Sequence, residues 1–239
     1  MAARREIKPM PDCGIFADTQ WEPKAVYDWL AWLENQLPFP IYRVTAGNLR
    51  AALLSGENST RQRFAAVPWF MDEGRAMGRR QCTKEYKIRP IQRKIVELLG
   101  GRPKGGAILW IGISTDEAAR MRPSKVQYIV HRWPLIEKGM SRNDCLRWMG
   151  RNNFPVPPKS SCIGCPYHSD HQWREIKQRP EEWAQAVEVD QAIRYQPKFK
   201  KEQFMHRSCR PIDEVDFSTD EDRGQLNMFN NECDGMCGV

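Results

Sequence analysis

The sequence predicts an α/β protein, a parallel twisted sheet flanked by helices, followed by a helical, cysteine-containing C-terminal part. Two observations carry this. Short apolar runs bounded by polar residues or glycine alternate with segments of helical period through the first half of the chain, the order in which a parallel sheet is built. Beyond Pro158 the strand-like runs stop, and helical segments and cysteines take over. The division falls near residue 150, with an α/β nucleotide-binding-like domain over 1–150 and a helical, cysteine-rich, metal-binding extension packed on it over 151–239.

Cys13 to Ala17 is a short apolar run stopped by Asp18-Thr19, a buried strand leading into a helix that Pro23 can open. From Lys24 to Gln36 the residues Val26, Tyr27, Leu30 and Leu33 fall at helical spacing, continued by Leu37, and Pro38 and Pro40 end the pattern. Ile41–Val44 reads as a second strand, and Gly47-Asn48 opens a short helix through Leu54. Residues 55–81 are polar and irregular, with Arg61, Arg63, Arg75, Arg79 and Arg80 spread around Trp69 and Phe70, the pattern of an exposed basic loop or lid. An amphipathic helix over Ile91–Leu99 closes at Gly100-Gly101. Ala107–Ile113 follows as a strand, with Ser114 or Thr115 as cap of the next helix. Helices over Ser141–Met149, 170–178 and 181–194 complete the regular part. Ligands of such sheets bind at the carboxyl ends of the strands, which here carry Asp18-Thr19 and Ser114-Thr115-Asp116-Glu117.

The formal charge of +7 favours an anionic partner, nucleotide or nucleic acid. No apolar run approaches the roughly 20 residues that span a bilayer, so the expectation is a cytoplasmic chain with no membrane partner. In that compartment the eight cysteines read as ligands or redox thiols rather than disulfides.

Ser161-Cys162-Ile163-Gly164-Cys165-Pro166 is a C-x-x-C turn, which lets two thiolates converge on one ion or cluster. Two sulfurs do not close a site. Cys82, after an irregular loop, Cys209, and the pair Cys233 and Cys237 in a glycine-flanked C-x-x-x-C are the further candidate ligands. Zinc and an iron–sulfur cluster both suit such a set. His168 and His171 lie close enough behind Cys165 for a mixed Cys/His zinc site, and read first as polar, solvated residues at a helix start. Cys13 and Cys145 read as small buried hydrophobes.

Phe16-Ala17-Asp18-Thr19-Gln20-Trp21-Glu22-Pro23, Cys82-Thr83 with Tyr86-Lys87-Ile88, Gly112-Ile113-Ser114 with Asp116, Glu117 and Arg120, and Cys162-x-x-Cys165-Pro166 occur here in one order. Together they resemble the phage and prophage branch of the phosphoadenosine phosphosulfate (PAPS) reductase-like family. That family belongs to the adenine nucleotide alpha-hydrolase superfamily and is related to the sulfurtransferases of DNA phosphorothioation. The resemblance implies a five-stranded, Rossmann-like sheet binding ATP or PAPS, with Asp18, Thr19, Gly112, Asp116, Glu117 and Arg120 at the nucleotide. It implies a [4Fe–4S] cluster held in part by Cys82, Cys162 and Cys165, and DNA or RNA as an acceptor. The family's Ser/Gly-rich phosphate loop falls ahead of Met1 in this comparison, so nucleotide binding by residues 1–239 is expected to be weak. The competing expectation is a zinc-stabilised, basic nucleic-acid-binding protein using Trp69 and Phe70 as stacking groups, or a catalytically inactive truncated remnant.

Overall fold

The structure is a computed structural model that describes residues 1–58, 67–71, 73–196 and 201–218. It is a mixed α/β protein with short parallel pairs of strands. Strand β1 (Gly14–Asp18) pairs in parallel with β2 (Ile41–Thr45), Gly14 opposite Ile41 and Asp18 opposite Thr45. Helix α1 (Lys24–Glu34) crosses between them, as a parallel pair requires. Asn48 caps α2 (Leu49–Ser55) by accepting the Ala51 N–H at 2.9 Å, and Gly56 ends it in the left-handed conformation.

Strands β3 (Phe70–Met71) and β4 (Ala76–Met77) form a small antiparallel pair, and Phe70 also bridges Phe204. A π-helical turn, Thr83–Ile88, runs directly into α3 (Arg89–Leu99), which Gly100 terminates. Strands β5 (Ala107–Trp110) and β6 (Ile129–Arg132) make the second parallel pair, followed by α4 (Pro134–Glu137) and α5 (Arg142–Arg151). Helices α6 (Asp170–Lys177) and α7 (Pro180–Ile193) follow, and residues 201–218 contain a 3-10 turn at Ile212–Glu214. Capping boxes at Ser141–Asp144 and Ser169–Gln172 start α5 and α6.

Several expectations are corrected. Among the described residues the single continuous sheet is replaced by separate pairs, β1–β2 and β5–β6. The strand expected over 107–113 ends at Trp110, and the segment after Ser114 is a 3-10 helix, Thr115–Arg120, without a side-chain cap, rather than an α-helix. Strand β6 lies where no strand was expected. Trp69, expected as an exposed stacking group, is 1% exposed, because the chain from Val67 folds inward beneath Phe204. Of the loop arginines, Arg61 and Arg63 lie outside the described residues.

The main core sits around α2, the π turn, α6 and α7, not between the strand pairs. Leu53, Trp69, Tyr86, Trp173, Ile176, Val189, Ile193 and Met205 are among its most completely buried members. These residues come from both sides of residue 150, so the C-terminal helices and the first half of the chain share one core. Asp190 on α7 fastens the following stretch to it, accepting the N–H groups of Met205 at 2.8 Å and Ile212 at 3.1 Å beside Arg194. Among the described residues no helix is long and apolar enough to cross a membrane.

Candidate functional site

The C-x-x-C turn is built against the loop that leaves β1. Ile163 N–H bonds to the Trp21 carbonyl at 2.8 Å, and Cys165 N–H closes the turn on the Cys162 carbonyl at 3.0 Å. Gly164 is required by the ring of Trp21: a Cβ at this position would stand 2.1 Å from Trp21 Cη2 and 2.9 Å from Met205 Cε. Trp21 itself is 2% exposed and donates from its indole N–H to Gln185 on α7 at 3.1 Å. Thus the turn, the end of β1 and α7 are locked in one arrangement.

Four side chains meet there. Thr19 Oγ1 donates to Glu22 Oε1 at 3.1 Å and lies 3.2 Å from Cys162 Sγ. The Cys162 thiol also reaches Glu22 Oε1 at 3.7 Å. Lys87 Nζ stands 3.4 Å from the same carboxylate oxygen. The Glu22 side chain is wholly buried, while Lys87 keeps 33% of its side chain exposed. Glu22 Oε2 has no hydrogen-bond partner among the described residues. A buried carboxylate oxygen left unpaired is costly, so it is a position where a ligand or ion gains a contact that water does not supply.

The electrostatics follow from this packing. Burial disfavours the charged form of Lys87, but Cys162 and Glu22 beside it outweigh that and raise its pKa above the ordinary lysine value. Burial, reinforced by Glu22, pushes the Cys162 thiol well above its usual range, against the opposing pull of Lys87 and Thr19. A neutral Cys162 supplies no charge, so Glu22 is the counterion that keeps Lys87 an ammonium. Burial likewise raises Cys82, with Arg80 acting the other way.

The π turn explains how Cys82 joins the group. Its hydrogen bonds run from residue i+5 to i, as in Arg89 N–H to the Lys84 carbonyl. Cys82 stands at the start of this turn and Lys87 within it, and Lys87 acts electrostatically on Cys82, Cys162 and Cys165. Cys82 and Cys162 both pack on the main core.

His168, expected to be solvated, is half-buried. Its Nε2–H donates to the Cys162 carbonyl at 2.9 Å, the ring meets Trp173 edge-on at 4.8 Å, and burial lowers its pKa to about 4. His171 is exposed and faces Glu175. Cys209, in the left-handed conformation at φ 50°, accepts the Gly74 N–H at 3.0 Å. Cys233 and Cys237 lie outside the described residues. Among the described residues no three His, Cys, Asp or Glu side chains converge as a metal site, and none of the six described cysteines is in a disulfide.

The expected nucleotide positions divide. Asp18 closes β1, where its Oδ1 accepts from Tyr27 Oη at 2.8 Å and from the Gln20 N–H at 2.7 Å. Thr19 turns inward to Cys162 and is 1% exposed. At the end of β5, Gly112 faces open space. Asp116 Oδ2 accepts the Arg142 N–H at 2.5 Å at the start of α5, and Glu117 pairs with Arg120. Glu22 is the site residue that the sequence reading passed over: a glutamate between Trp21 and Pro23 has no pattern that marks it as buried.

No family model, curated protein or solved structure matches the chain.

Proposed function

We propose that the protein is an adenine-nucleotide enzyme of the PAPS reductase-like or ATP-dependent sulfur-transfer type, with a Rossmann-like α/β fold and a cysteine-ligated metal centre. The single observation that supports this best is the meeting of Thr19, Glu22, Lys87 and Cys162 at the carboxyl end of β1, within the electrostatic reach of Cys82 and Cys165. The donor chemistry fits such a centre: thiols on two separate segments around one ammonium, with the unpaired Glu22 Oε2 among them. Cys82, Cys162 and Cys165 would hold the metal, with Cys209, Cys233 or Cys237 to complete it. A [4Fe–4S] cluster bound there would bind or deliver sulfur or electrons, whereas zinc would fix the turn.

The chain's own residues supply the rest. Lys87, held as an ammonium and partly open to solvent, neutralises negative charge that builds on a phosphate or sulfate. Thr19 and Glu22 orient the Cys162 sulfur, and Trp21 and Ile163 exclude water from one side of it. Asp18 and Gly112, at the ends of β1 and β5, are the positions for the nucleotide, with Arg120 and the acidic pair Asp116 and Glu117 beside them.

Calorimetric titration of the anaerobically purified protein with ATP and with PAPS tests the nucleotide part. Saturable binding of one of the two, weakened about tenfold in Lys87→Ala by loss of a charge-assisted contact, is the expected result. Absence of binding to either removes the nucleotide from the proposal.

A further inference from the structure

The helix that begins with the π turn carries a row of cations that the nucleotide reading does not use. Arg89 N–H bonds to the Lys84 carbonyl, so Lys84 stands one π turn above Arg89, and Arg93 stands one α turn below it. Lys84, Arg89 and Arg93 are all exposed, and none has an ion-pair partner among the described residues. Arg89 and Arg93 are about 6 Å apart along the axis, within the ~8 Å Debye length at physiological salt, so their fields add.

Arg93, the last cation of the row, lines a groove of about 310 Å³ between β2 and α3 together with Tyr42, Arg43, Thr45, Lys94 and Glu97. Lys94 Nζ lies 4.3 Å above the Tyr42 ring and pairs with Glu97, and Arg43 pairs with Glu34. Arg43 and Lys94 are thus each matched by a carboxylate, which leaves Arg93 as the lining cation without an ion pair among the described residues, with Arg89 and Lys84 continuing the row along the same helix. Thr45 in its lining is the register partner of Asp18 at the carboxyl end of β1.

We propose that this row and groove are a docking track for single-stranded nucleic acid, the row holding the sugar–phosphate backbone and the groove receiving an unstacked base beside Tyr42. Charge complementarity selects a polyanion. The groove selects a single strand, because a duplex keeps its bases stacked inside and offers no base to a cleft of this size. The inference goes beyond the nucleotide reading and is independent of it, since neither a metal nor ATP takes part.

Fluorescence anisotropy with a labelled twelve-residue oligothymidylate, measured over a range of salt concentrations, tests it. The triple variant Lys84→Gln, Arg89→Gln, Arg93→Gln keeps good helix formers at every position. It is expected to bind at least about tenfold more weakly and to lose about two from the slope of log K against log salt, at ~0.7 per phosphate contact on a single strand. A control triple of the same charge loss elsewhere, Lys104→Gln, Lys125→Gln, Lys138→Gln, is expected to retain the slope. Equal losses in both triples, an unchanged track variant, or equal affinity for a duplex of the same length would each overturn the proposal.

Discussion

Glu22 and Lys87 form an ion pair at 3.4 Å in which the glutamate side chain is wholly buried and the lysine side chain is one-third exposed. The pair is asymmetric, so its two halves respond differently to substitution. Removing the ammonium strands a buried charge, whereas removing the carboxylate leaves a lysine that can still reach water. Lys87→Met is therefore expected to lower stability by about 2–3 kcal/mol, and Glu22→Gln by less than Lys87→Met. Urea unfolding of both variants checks the order; equal losses, or a larger loss for Glu22→Gln, would contradict it.

Gly164 makes the C-x-x-C turn possible by yielding space to Trp21. Gly164→Ala is expected to cost about 2 kcal/mol or more, because the new methyl meets a ring locked by Gln185 rather than a flexible chain end. Adding Trp21→Phe, which shortens the ring facing the new methyl, should restore part of the loss. A double variant less stable than the sum of the two single changes would show that the clash is not the cause.

Two carboxyl-terminal N–H groups depend on one side chain. Asp190→Ala leaves the Met205 and Ile212 N–H groups and the Arg194 guanidinium without their acceptor inside the core. An expected loss of about 3–5 kcal/mol follows from a broken buried charge pair. It should be accompanied by early proteolytic cleavage within 201–218. Asp190→Asn, which keeps one acceptor oxygen, should fall between the variant and the parent.

The half-buried His168 makes stability depend on pH. Its folded pKa, lowered to about 4 by burial, lies below the ordinary 6.5 of the unfolded chain. Between those values the unfolded state binds more protons, so stability falls as pH drops from about 6.5 to about 4. Asp170 acts lower down: its hydrogen bond to His206 depresses its pKa, so its contribution is present above the ordinary carboxylate value and is lost as pH falls below it. Denaturation midpoints from pH 4.5 to 7 should rise with pH, with a shallower slope in His168→Gln. A slope unchanged by that substitution would assign the dependence elsewhere.

Much of the fold was legible in the sequence where periodicity was strong. The apolar run ending at Asp18 and the helical spacing from Lys24 to Gln36 became β1 and α1. Strand β6 escaped because Ile129–Arg132 is only four residues long and ends in His131 and Arg132, which carry no strand signal. Trp69 was misread because an irregular, arginine-rich stretch gives no sign of which aromatic turns inward. At the site, Cys82, Cys162 and Cys165 could be singled out by residue type and spacing. Their link to Glu22 and Lys87 could not, because it depends on a π turn, whose extra residue per turn leaves no mark in apolar spacing.

The cysteine-ligated metal centre is tested most directly by purifying the protein without oxygen and determining iron, sulfide and zinc together with the visible spectrum. Parallel preparations of Cys82→Ala, Cys162→Ala and Cys145→Ala complete the measurement. The expected result is stoichiometric metal, with sulfide and broad sulfur-to-iron absorption if the centre is an iron–sulfur cluster. That metal should be lost in Cys82→Ala and Cys162→Ala and kept in Cys145→Ala. Protein that carries no metal, or metal retained equally in all three variants, would contradict it.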